Sequence, residues 1–253
     1  MDTIGKSQKK KNAVATVLMI ILFTILAILI VLPIYAIFMA SFHPGNFLLQ
    51  YGLNLDPDFA HMTLSNYVLL FTGDHDYWIW FGNSLILTVL TVVLTLLISS
   101  FVAYGFAAYD FKGKNFFFVI VLIILSIPFE VIMLPLYKQI STWGLMDSYV
   151  AVVLPFLAHA STIFFFRQYL LGLPKSLIEA GRIDGATEYG IFFKLIVPIM
   201  KPAFSAMAIL NGMNAWNNYM WPLLVIRSSS KYTLTIGLNT LINPYGDNYS
   251  LLV

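Results

Sequence analysis

Cysteine is absent from the 253-residue chain, which removes disulfides and thiolate metal sites from consideration. Charge is scarce: Asp, Glu, Lys and Arg together make up 10% of the residues, against about 25% in soluble domains. That deficit excludes a water-soluble globule. Internal repeats and low-complexity tracts are also missing, so one membrane domain accounts for the chain. His159 has no Asp, Glu or second His at metal-ligand spacing, and the residues suggest no metal site.

What fills the chain is apolar, 59% hydrophobic residues. Residues 13–40, 78–109 and 149–166 carry no charge, and residues 116–137 carry only Glu130. Residues 203–226 are uncharged but rich in Asn and Trp. These runs reach or approach the ~20 residues that a membrane-spanning helix needs. The first far exceeds the about 7–15 residues of a signal-peptide core, and no small-residue cleavage site follows it. The expected fold class is an all-α, multi-pass membrane protein.

Orientation follows from the cations. Lys6, Lys9, Lys10 and Lys11 precede the first run, Lys112 and Lys114 follow the second, and Arg167, Lys175, Arg182, Lys194 and Lys201 follow the fourth. The alternate connections hold only Lys138, Arg227 and Lys231, and residues 41–77 contain no Lys or Arg. The positive-inside rule then expects a cytoplasmic N-terminus. Residues 1–12 read as a cytoplasmic basic tail, residues 13–253 as the transmembrane domain, and residues 167–202 as a cytoplasmic loop.

Several polar positions stand out inside the apolar runs. Thr88, Thr91 and Thr95 share a helical face, and Ala103 and Ala107 allow close helix approach. Pro128 and Pro135 break the third run around Glu130, a carboxylate whose cost in lipid makes it a path candidate. Asn211, Asn214 and Asn218 recur at i, i+3 and i+7, with Trp216, Tyr219 and Trp221 beside them. Amides in lipid must meet partners or water, and amides with aromatic rings suit hydroxylated ligands such as sugars. Interhelical hydrogen bonding is the plainer reading of the same residues. Pro222 is expected to bend or end that helix.

The loop carries helix signals. Ser176 to Glu179 fits a capping box, and Asp184-Gly185 is a turn signal. A second short helix, with Asp184 as its cap, would place Tyr189, Phe192, Phe193 and Ile196 on one apolar stripe. An amphipathic helix resting on lipid is the generic alternative.

Glu179-Ala180-Gly181, Asp184-Gly185-Ala186 and Pro198 together resemble the EAA loop of ABC-importer permeases. Gly181 departs from an alanine of that pattern, at ~1 kcal/mol of helix propensity. Trp216 to Leu223, with Tyr232 to Leu238, resembles the fifth-helix signature of carbohydrate-uptake permeases of the maltose-transporter type. The resemblance implies a six-helix permease core, of which five spans are evident here and the sixth is expected beyond Val253. It implies that Glu179, Ala180, Asp184, Gly185, Ala186, Tyr189 and Phe192 serve coupling to an ATPase, and that Asn243, Pro244 and Tyr245 form an outer tip facing a binding protein. The implied partners are a second related permease, two ATPase subunits, an extracytoplasmic solute-binding protein and membrane lipid, in a bacterial or archaeal cell membrane. Nucleic acid is not expected. Gly5-Lys6-Ser7 is no P-loop, because the glycine that must stand five residues earlier cannot exist. No catalytic residue is expected in this chain, and ATP with Mg would bind the separate ATPase subunit. Permeases for glycerol phosphate or polyamines, and an ion-coupled secondary transporter, remain as alternatives.

Overall fold

The computed structural model describes residues 2–44, 59–73 and 76–241. The described residues are helical or irregular, with no strand among them. The expected tip residues Asn243, Pro244 and Tyr245 lie outside the described residues. The chain forms two compact units, residues 1–75 with 240–253 and residues 76–239.

In the first unit, α1 (Asp2–Ala40) runs through the expected first span, with Pro33 inside it. Its large apolar side chains from Val17 to Ile34 are exposed, leaving them for lipid. Beyond its end, the amide of Asn66 in α2 (Ser65–Thr72) donates to the carbonyls of Ser41 and His43 at 3.0 and 2.8 Å. Both carbonyls lie just past the helix end, in backbone that has left the helical ladder and needs other donors.

In the second unit, α3 (Tyr77–Ala108) is the axis, and the remaining apolar runs are each broken. The third run consists of α4 (Lys114–Leu125) and α5 (Phe129–Thr142), bent by 102°. The bend falls just before Pro128, with Pro135 carried inside α5. The fourth run is α6 (Tyr149–Val153), a 3-10 turn (Leu154–Phe156) and α7 (Ala160–Leu171), bent by 42°. Two long helices and three bent pairs are long and apolar enough for up to five spans among the described residues.

The loop begins with α8 (Ser176–Ile183), followed by α9 (Glu188–Gly190), a π-helical turn (Ile191–Ile196) and α10 (Val197–Ile199). Next come α11 (Lys201–Trp216), α12 (Met220–Val225), a 3-10 turn (Ser229–Lys231) and α13 (Leu234–Leu241). Pro202 sits in the first turn of α11, where a missing N–H costs nothing. The fifth run breaks earlier than Pro222, at residues 217–219. There the side-chain amide and the backbone N–H of Asn217 share the carbonyl of Met213, at 2.9 and 3.1 Å.

Helix α3 packs along α7 and α11. One apolar cluster gathers Ala103, Phe166, Phe192, Met200 and Ala203 at the loop end. A second gathers Leu87, Ile140, Val152, Trp221 and Val225 towards the other end. The Asn83 amide ties α3 to the carbonyls of Ser230 and Tyr232, each at 2.9 Å, and the Leu234 amide donates to Ser84.

Candidate functional site

Two places gather the polar residues singled out in the sequence. Along α3 and α11, between the positions of the two apolar clusters, lies a cavity of about 240 Å³. Its polar lining comes from Ser84, Thr91 and Thr95 of α3, His159, Asn211, Asn214 and Asn218, and Thr233. The volume is slightly below the about 300–1,000 Å³ of drug-sized ligand sites.

The lining residues divide by what holds them. The Asn211 amide donates to Met207 O at 2.9 Å and to Thr162 Oγ1 at 3.1 Å, so it is committed to joining α11 to α7. Thr95 Oγ1 donates at 2.8 Å to the carbonyl of Phe156, which the break before α7 leaves without a helical partner. His159 Nδ1 pairs with Ser161 Oγ at 2.8 Å. By contrast, no described residue bonds the side-chain amides of Asn214 or Asn218. Neutral donors and acceptors beside apolar walls from Phe129, Val152 and Phe156 can meet the hydroxyls and the C–H faces of a sugar. No Lys, Arg, Asp or Glu lines the cavity.

Trp216, Tyr219 and Glu130 are not in this lining. Trp216 packs edge-on to Phe81, the Tyr219 hydroxyl donates to Asn239, and Glu130 is exposed in the first turn of α5. Thr88 also lies outside the lining, apart from Thr91 and Thr95. Nothing in the sequence pattern marks His159, Ser84 and Thr233 as path residues. Only the pairing of helices across the bundle brings them together.

The second place is the loop. Its turn is a Schellman motif: the amide of Gly185 bonds Arg182 O at 3.1 Å and that of Ala186 bonds Gly181 O at 3.0 Å. Gly185 has φ +73°, the left-handed conformation that glycine adopts without a Cβ penalty. Two local expectations change. Ser176 is the first helical residue and caps nothing, because Lys175 holds the cap position. Asp184 ends α8, and Thr187 starts the next helix by accepting the Gly190 amide at 3.1 Å.

The expected α-helical stripe also differs. In the π-turn Ile191, Phe192 and Ile196 are buried, while Tyr189 and Phe193 are exposed. Ring closure to i+5 instead of i+4 brings Ile191 and Ile196 onto one face. Phe192, 1% exposed, therefore supports the loop from beneath and takes no part in its surface. The exposed residues include Glu179, Ala180, Asp184, Gly185 and Ala186, and the most exposed large apolar groups are Tyr189 at 71% and Ile183 at 86%. Ile183 was missed in the sequence, though an Ile between Arg182 and Asp184 has no apolar stripe to join.

A family model described as "Binding-protein-dependent transport system inner membrane component" matches residues 95–253. The arabinooligosaccharides transport system permease protein AraQ of Halalkalibacterium halodurans is 50% identical over 97% of this chain and 88% of its own length. The protein of that name from Bacillus subtilis is 51% identical over 91% of this chain and 82% of its own. Among solved structures, a chain of a bacterial ABC transporter involved in the import of the acidic polysaccharide alginate superposes with a TM-score of 0.82 at 25% identity, covering 94% of this chain and 83% of that one.

Proposed function

The chain belongs to the inner-membrane components of binding-protein-dependent transport systems, and on that premise we propose that it lines half of the membrane path for short arabinose-containing oligosaccharides. It is a permease subunit with the ABC-importer permease fold. Membership in the family implies work alongside another permease, ATPases and a solute-binding protein. In this reading the second permease is a related but different chain, two ATPase subunits hold ATP and Mg, and the binding protein delivers sugar from outside. The N-terminus and the loop at residues 167–202 face the cytoplasm.

The observation that carries the substrate is the 50% identity, over nearly the whole chain, to a protein named for arabinooligosaccharide transport. The cavity agrees chemically, since free neutral amides suit a neutral polyol and the lining has no cation for a phosphate ester. The loop supplies the coupling surface. Ile183, beside the Schellman turn, and Tyr189, in α9, are exposed apolar groups that a partner cleft can cover. Movement of the closing ATPases would then reach the membrane helices through this loop.

Uptake of labelled arabinotriose by proteoliposomes holding the complete complex tests the reading. ATP-dependent, ionophore-resistant accumulation is expected, with Gly185→Val lowering it because valine resists φ +73°. Uptake abolished by an ionophore would make the protein an ion-coupled carrier. ATP-driven uptake of other sugars with none of arabinotriose would overturn the substrate.

A further inference from the structure

Glu188 is the point at which the loop is fastened to the bundle. Its Oε1 accepts from Arg182 Nε of α8 at 2.6 Å. Its Oε2 accepts from the Tyr109 hydroxyl, just past the end of α3, at 2.6 Å and from the Tyr104 hydroxyl within α3 at 3.2 Å. The Arg182 guanidinium also lies 5.5 Å from the centre of the Tyr109 ring. One carboxylate thus joins both halves of the loop to one end of α3.

Beneath it the contact is apolar. Phe101 of α3 stacks on Phe192 at 4.4 Å, and the Tyr104 ring lies 5.2 Å from Phe192. Aromatic faces resist separation but slide, because dispersion has little directionality. Charge-assisted hydrogen bonds have direction and are about twice as strong as neutral ones. Glu188 therefore supplies the element that fixes register between loop and helix. The helix it grips also carries Ser84, Leu87, Thr91 and Thr95, one wall of the cavity.

We infer that Glu188 is a positioning residue for transport: it latches the coupling loop to α3, so that a displacement of the loop moves the cavity wall instead of slipping past it. The carboxylate is required because it accepts three donors at once. A glutamine would turn its own N–H groups towards one of those donors, and a leucine would leave them all unpaired. The inference rests on the loop being the ATPase-coupling surface.

The test uses the complete complex in proteoliposomes, with sugar uptake and ATP hydrolysis measured together. In Glu188→Gln, and in Tyr104→Phe with Tyr109→Phe, the ATPase subunits should stay bound and hydrolysis should persist, while sugar moved per ATP falls about tenfold. Glu188→Asp, which keeps the charge on a shorter arm, should recover part of the ratio. The absence of cysteine permits spin labels at Thr187→Cys and Val102→Cys as a second readout. Their separation should stay narrow through the ATP and vanadate-trapped states with Glu188, and broaden in Glu188→Gln. An unchanged ratio with an unchanged distance distribution overturns the latch. So does loss of uptake and hydrolysis in proportion as ATPase subunits dissociate, since that marks a merely structural role. The underlying reading fails separately: Ile183→Asp in an otherwise natural loop would then leave the ATPase subunits bound and coupled.

Discussion

Gly181 stands where the EAA pattern has alanine, and the structure supplies a reason that can be measured. A Cβ at that position would lie 2.9 Å from Ile191 Cγ1 and 3.3 Å from Cδ1, inside the about 3.5–4.0 Å of a good carbon contact. Ile191 is buried at the loop base beside Phe192 and Ile196, so it has little room to give. Two effects oppose each other in Gly181→Ala. The helix gains about 1 kcal/mol from propensity, and overpacking costs about 1–3 kcal/mol. The expected net is a loss of about 1 kcal/mol, roughly a fivefold increase in opening of α8. Because Gly181 O accepts the Ala186 amide, the loss should reach the Schellman turn. Hydrogen exchange of the amides of Asp184, Gly185 and Ala186 reads it. Trimming the obstacle with Ile191→Ala should reverse the sign, making Gly181→Ala protective by about 1 kcal/mol. Increased protection on the natural Ile191 background would refute the steric account. So would an effect that stays the same after trimming.

Gly237→Ala would drive a Cβ into the buried Trp80 indole, lowering stability by about 1–3 kcal/mol; Gly105→Ala, with nothing within 4 Å, should be neutral or slightly stabilising in the same thermal-unfolding series. Asn214→Leu and Asn218→Leu should lower sugar uptake with little change in melting temperature, because no described residue bonds either amide. Asn211→Leu should also lower the stability, by about 1–3 kcal/mol, as it leaves the Thr162 hydroxyl without its amide partner. Asp147 accepts from the Ser228 hydroxyl, the amides of Ser228 and Arg227, and Lys231 Nζ, which hold its carboxyl well below the ordinary 3.8. Its contribution is present above the ordinary carboxylate value and is lost only as pH falls below it towards the depressed one. Amide exchange at residues 227–228, compared between Asp147→Asn and the natural chain, should therefore differ at pH 5–7 and converge in strong acid.

The spans were legible because their signal is additive: a missing charge at every position of a run needs no knowledge of its neighbours. The same holds for the turn at Asp184-Gly185, where backbone geometry alone demands the glycine. Register was harder to read. The stripe from Tyr189 to Ile196 was counted at the α-helical period, yet a π-turn places Ile191 with Ile196 and leaves Tyr189 outside. The π-turn goes with Phe192 stacked on Phe101 of another helix, a contact that counting positions along the segment does not show. The three asparagines show the same limit more sharply. Their spacing put them on one face, and all three do line one cavity. Spacing could not tell the amide already committed to Thr162 from the two left free, since that depends on which helix lies opposite. Residues whose role depends on a distant partner, such as Glu188 gripped by two tyrosines about eighty positions earlier, become visible only when the chain is folded. That is why the sequence marks the loop more clearly than the contacts that join it to α3.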